Sequence, residues 1–214
     1  MQNTRIKLLK TSARLFAQKG YSGTTVRQIV QRAGANLSAV RYHFGDKYGL
    51  YLATVQYLTK HVGTEVMKDM VLPEDINNLS YDKALKYLHT LLDRFMEVSF
   101  TRKNILLERI FTYAELEDSG AFRQVLLEQT SRLRDTWYSL LSRLTGLKKD
   151  TPELVLLCHS IFGQANQSDF MRFAVCKSLH LTKYTPEVFA RLKQIVWQNT
   201  CAILDLYNKG KQQK

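Results

Sequence analysis

Only three prolines interrupt the chain of 214 residues, and Pro73, Pro152 and Pro186 each stand where a helix begins or a loop turns. Between them apolar residues recur every three or four positions, and no segment alternates as a strand would. Stripes of this kind are buried by packing helix against helix, so the pattern predicts an all-α fold. The length is ample for one or two domains with a buried core.

The first predicted helix, Thr4 to Lys19, puts Ile6, Leu9, Ala13, Phe16 and Ala17 on one face and ends at Gly20. Thr24 or Thr25 can cap the next one, and Thr25-Val-Arg-Gln28 has the T-x-x-Q form of a capping box. That helix buries Val26, Ile29, Val30 and Ala33 and stops at Gly34. A short third helix, Ser38 to Phe44, follows with Val40 and Phe44 facing inward. Two short helices joined by so tight a turn form a helix-turn-helix. Asp46 is the predicted N-cap of a long fourth helix, Lys47 to Met70. A fifth carries Leu85, Leu88, Leu92, Phe95 and Met96, and the remaining helices are predicted over Lys103 to Glu117, Gly120 to Leu144, Pro152 to Leu179 and Pro186 to Asn208.

Charge separates the two ends. Residues 1–50 hold nine Lys/Arg and one acid, a formal +8, while the other 164 residues hold 22 Lys/Arg against 18 acids, or +4. Such asymmetry predicts a polyanion-binding end joined to a body with another task. Other classes are disfavoured. Cys158, Cys176 and Cys201 are odd in number and widely spaced, against both a disulfide framework and a zinc site, and His89, His159 and His180 lack ligand spacing. No nucleophile, metalloprotease, phosphate-loop or dinucleotide signature points to an enzyme or a cofactor. Neither a membrane span nor a secretory leader is read, so the expected location is the cytoplasm.

In a helix-turn-helix the second helix enters the major groove and flanking residues grip phosphates. Helical winding puts Ser38, Arg41 and Tyr42 opposite the buried side of the third helix. Arg suits the bidentate contact to guanine, Ser donates or accepts, and Tyr packs on a thymine methyl or bonds a phosphate. Arg27 stands in the first turn of the preceding helix, and Lys47 opens the fourth, where its ammonium and the helix-end amides together suit a phosphate. His43 is placed either toward DNA or against the first helix.

The run Phe16-Ala-x-Lys-Gly-Tyr21, Thr24-Thr-Val-x-x-Ile29, Ala33-Gly34 and Tyr42-His-Phe-Gly-Asp-Lys47-x-x-Leu50 resembles the DNA-binding domain of TetR-family transcriptional regulators. The resemblance covers residues 4 to 50 or so. It implies DNA contact by Thr25, Arg27, Ser38, Arg41, Tyr42, His43 and Lys47. One position departs, since many members carry Tyr where this chain has Arg41. It also implies a homodimer on a palindromic operator in double-stranded DNA, and a division into a DNA-binding domain over 1–50 and a helical effector-binding and dimerisation domain over 51–214. The step Gly163-Gln164 with Phe170-x-Arg172 faintly resembles the C-terminal domain of CecR-like members, which implies a drug-like effector.

Within the body, Leu157, Ile161 and Ala165, with Leu192, Ile195, Val196 and Ile203, are the candidate dimer face, as two helices of a four-helix bundle. The alternative is that these stripes face the chain's own core. Polar groups among apolar ones make His89, Arg94, Tyr113, Trp137, Gln164 and Gln167 candidates for a pocket holding a small-molecule effector. The polar run Gly163 to Asp169 suits either a ligand or a partner protomer. Two functions follow: a repressor released from its operator by a small molecule, or a DNA-bound dimer whose body binds another protein.

Overall fold

The computed structural model describes residues 2–68, 70, 75–116, 120–166 and 169–212. Among these there are ten α-helices, one short 3-10 turn at Ile76–Asn78, and no strand. The helices are α1 (Gln2–Lys19), α2 (Val26–Ala33), α3 (Leu37–Phe44), α4 (Lys47–Met67), α5 (Tyr81–Ser99), α6 (Arg102–Leu116), α7 (Gly120–Thr145), α8 (Pro152–Ala165), α9 (Asp169–Ser178) and α10 (Pro186–Gln212). No helix among the described residues is long and apolar enough to cross a membrane. The chain divides into two compact units, one formed by residues up to 64 with 100–131, the other by 65–99 with 132 onward.

In the first unit α1 packs against α2, α3 and α6. Leu9, Ala13, Phe16 and Ala17 are buried as the periodicity predicts, but so are Leu8, Ser12 and Leu15. The wider burial has a simple cause: α6 covers a second face of α1, and its Tyr113 hydroxyl donates to the Gln18 carbonyl at 3.2 Å. Thr24 is fully buried and its hydroxyl donates to the Gly20 carbonyl at 2.8 Å, which fixes the loop after α1. Thr25 is therefore the cap. Its side chain accepts from the Gln28 N–H, the Gln28 side chain accepts from the Thr25 N–H, and the capping box is complete. Gly34 ends α2 at φ 61°, a left-handed conformation that a side chain disfavours.

In the second unit α5 packs against α8 and α10, and Leu88, Leu91, Leu92, Phe95 and Met96 of α5 are buried, as are Trp137, Leu140, Leu141 and Leu144 of α7. Thr151 caps α8, with Pro152 in its first turn. The single helix predicted over Pro152 to Leu179 is two helices. α8 ends at Ala165, Asn166 leaves helical geometry at φ −93° and ψ 79°, and α9 starts at Asp169. An Asn side chain competes for backbone hydrogen bonds, which favours an end to the helix at Asn166.

Candidate nucleic-acid interface

The local geometry of α3 follows from its ends. The Asn36 side chain accepts from the Ala39 N–H at 2.8 Å and caps the helix, so α3 begins at Leu37, one residue earlier than the spacing of Val40 and Phe44 suggests. At the other end the Gly45 N–H returns to the Arg41 carbonyl at 3.1 Å. Val40 is buried, and Arg5 of α1 lies over the Phe44 ring, 5.6 Å from its centroid. These contacts hold one side of α3 inward.

Four side chains are left outward: Leu37, Ser38, Arg41 and Tyr42. Leu37 is 55% exposed and Tyr42 75% exposed, large apolar surfaces on the outer side of the helix. Among the described residues the Arg41 guanidinium has no partner, and neither has that of Arg27, also exposed in the first turn of α2. Ser38 donates its hydroxyl proton to Asn36 Oδ1 at 2.8 Å, which leaves its oxygen as an acceptor. His43 is half-buried, with its ring 4.8 Å from that of Tyr42 and 5.9 Å from that of Phe44.

The start of α4 is fastened to the same unit. The Asp46 side chain accepts from the Gly49 N–H at 2.8 Å, as expected of the N-cap. Tyr48 and Tyr51 pack against Tyr21, and Tyr51 meets Phe16 edge-on with centroids 5.0 Å apart. Lys47 lies half-buried with its ammonium 4.1 Å from the Tyr21 centroid. Thr25, Arg27, Ser38, Arg41, Tyr42, His43 and Lys47 thus all lie in one unit. Leu37 and Asn36 were not among the sequence candidates. The signal for both was the strong capping preference of Asn, which moves the helix start and carries Leu37 onto the outer face one turn before Arg41. Beside α2, a cavity of about 300 Å³ is lined by Leu15, Lys19, Gln28, Gln31 and Arg32.

The candidate pocket residues do not gather in one unit. Tyr113 belongs to the first. In the second, His89 is exposed and its ring lies 4.2 Å from that of Trp197, whereas Trp137 is buried and Arg94 half-buried. Gln164 accepts from the Asn199 amide at 3.0 Å, joining α8 to α10, and Gln167 lies outside the described residues. Of the candidate dimer residues, Leu157, Ile161, Ala165 and Val196 are buried in the chain's own core. Leu192 and Ile203 are half-buried and Ile195 is 42% exposed.

Residues 8–54 match bacterial regulatory proteins of the tetR family. Residues 85–205 match the C-terminal domain of the HTH-type transcriptional dual regulator CecR. The HTH-type transcriptional dual regulator CecR of Shigella flexneri is 23% identical over 217 aligned positions, covering 100% of this chain and 95% of that protein. The probable HTH-type transcriptional regulator YttP of Bacillus subtilis is 26% identical over 144 residues, 62% of this chain and 67% of that one. A transcriptional regulator of known structure from Aquifex aeolicus VF5 shares the fold with a TM-score of 0.58 at 22% identity, over 94% of this chain and 99% of its own.

Proposed function

Because the chain belongs to the TetR family of bacterial transcriptional regulators, a DNA-binding regulator and not an enzyme, we propose that it acts as a homodimeric repressor released from a pseudopalindromic operator by a small-molecule effector. The observation that carries the DNA half is the outer face of α3, where Leu37, Ser38, Arg41 and Tyr42 are exposed on a helix capped at Asn36 and closed at Gly45. The unit is basic, the exposed guanidinium of Arg41 has no partner among the described residues, and an exposed apolar side chain beside it suits a thymine methyl. Thr25 accepts the Gln28 N–H and keeps its own hydroxyl proton for a phosphate oxygen. Arg27 and Lys47 supply charge for further phosphates.

Two copies are needed to read a palindrome, with recognition helices about 34 Å apart. The dimer face proposed is the outer side of α8 and α10: Leu156 and Leu206, each 71% exposed, with Ile195. Exposed Ser160, Gly163 and Ala202 are small enough to let helices of two protomers approach closely. The core residues Leu157, Ile161, Ala165 and Val196 then support this face from behind.

Release follows from linkage. An effector that binds the DNA-incompetent conformation more tightly weakens operator binding, and DNA weakens effector binding by the same factor. Selection of bound duplexes from random DNA, followed by a compound screen for release monitored by anisotropy, tests both halves. Failure to enrich any duplex would remove the DNA proposal. Enrichment of single half-sites by a monomer would remove the dimer.

A second reading is favoured by α9 and the residue after it. Phe173 is 66% exposed, Leu179 50% and Met171 48%, apolar surface that suits a protein partner of the DNA-bound dimer.

A further inference from the structure

The second unit contains two buried hydrogen-bond donor atoms that nothing among the described residues answers. Trp137 is 4% exposed, and its Nε1–H is fully buried without an acceptor. On α5 the Arg94 guanidinium makes no hydrogen bond or ion pair among the described residues, and its Nη1 is fully buried. Phe95, next to Arg94 in the chain, meets the Trp137 ring edge-on at 6.5 Å between centroids and the Phe162 ring of α8 at 4.5 Å. α5, α7 and α8 therefore share an aromatic seam that carries both donors on its helices.

Acids are close to Arg94 in sequence, yet they are committed elsewhere. Asp93 and Glu97 of α5 both pair with Lys193 of α10, at 2.9 and 3.0 Å. Guanidinium and indole N–H groups only donate, so one cannot satisfy the other. A guanidinium nitrogen buried without an acceptor costs free energy, and a buried indole N–H ordinarily finds an acceptor. What is missing is one kind of group: an oxygen acceptor, preferably charged.

We propose that this seam binds a small carboxylate, with its oxygens accepting from Arg94 and Trp137 and its apolar part against Phe95 and Phe162. The inference rests on the effector reading above and names the chemical class of the effector. It accounts for why these donors are left open. A site satisfied in advance by the protein's own acids would have no affinity left for an anion.

The test uses the full-length protein with Trp197→Phe, which leaves Trp137 as the one indole, labelled with 15N. Benzoate, 2-naphthoate and decanoate are titrated to millimolar concentration beside their neutral carboxamides. The carboxylates are expected to move the Trp137 indole N–H resonance saturably, and the carboxamides to bind about tenfold more weakly. Arg94→Met should weaken carboxylate binding by a similar factor and raise the melting temperature of the ligand-free protein, because an apolar side chain of similar length replaces a guanidinium nitrogen buried without an acceptor. A lower melting temperature would make Arg94 a structural group and overturn the proposal. Equal shifts by acid and amide, or no shift by any carboxylate, would overturn it as well. Neutral compounds that release operator DNA while the indole signal stays fixed would leave the effector reading standing and remove this site. A carboxylate that binds here without loosening DNA would keep the site and remove the effector reading.

Discussion

The ammonium of Lys47 lies 4.1 Å from the centroid of the Tyr21 ring. That contact, worth about 0.5–1 kcal/mol at an exposed site, orders a long side chain over the first turn of α4, where free amides carry partial positive charge. Lys47→Gln should lower affinity for every duplex by a similar factor and reduce the slope of log affinity against log salt by about 1. Tyr21→Leu keeps the charge, so its slope should match that of the parent. Anisotropy titrations at several salt concentrations separate the two. An unchanged slope for Lys47→Gln would remove its phosphate role.

Arg41 and Leu37 lie one turn apart on the exposed face of α3. If the guanidinium reads a base edge, Arg41→Ala should cost about 1–3 kcal/mol on the selected site and relax preference at one base pair. Leu37→Ala should relax a preference for thymine at another position, because only a methyl contact is lost. Competition with single-base variants of the operator checks both. A loss equal on all sequences would make Arg41 a phosphate contact.

Much of this was legible in the chain, and the parts that were not share a physical cause. Capping at Thr25, the stop at Gly34 and the cap at Asp46 are local events, written in three or four adjacent residues, and they stand as the spacing predicts. The break at Asn166 was missed because apolar periodicity on both sides outweighed a polar run whose members compete for backbone hydrogen bonds. The burial of Leu8 and Leu15 was missed because it depends on α6, some ninety residues away. Leu157 and Val196 share a stripe with exposed neighbours, and a stripe alone does not say which edge of it meets the chain's own core.

Two glycines of α4 should respond to alanine with opposite sign. A Cβ on Gly49 would stand 2.0 Å from the Phe44 carbonyl oxygen, a backbone atom fixed by the end of α3. Gly49→Ala should therefore destabilise the protein by about 1–3 kcal/mol or more. Around Gly63 a Cβ meets nothing within 4 Å, so Gly63→Ala should stabilise by up to about 1 kcal/mol through helix propensity. Urea unfolding of the two variants gives both signs. Destabilisation by Gly63→Ala would mean that this residue holds a conformation its surroundings do not require.

Cys158 links stability to alkaline pH. The side chain is 4% exposed, and burial pushes its thiol from an ordinary value near 9 up to about 12. The native state thus keeps a proton that the unfolded chain releases. Stability from this group is whole below about pH 9 and declines as pH rises toward 12, with a slope of at most about 1.4 kcal/mol per pH unit. Lysines and tyrosines titrate over part of the same range, so the informative quantity is the difference from Cys158→Ala. That variant carries a pH-independent packing penalty but should lose stability less steeply above pH 9. Urea unfolding at half-unit steps from pH 8 to 10.5 reads the two slopes. Parallel curves would show that the buried thiol titrates no differently in the folded and unfolded chain.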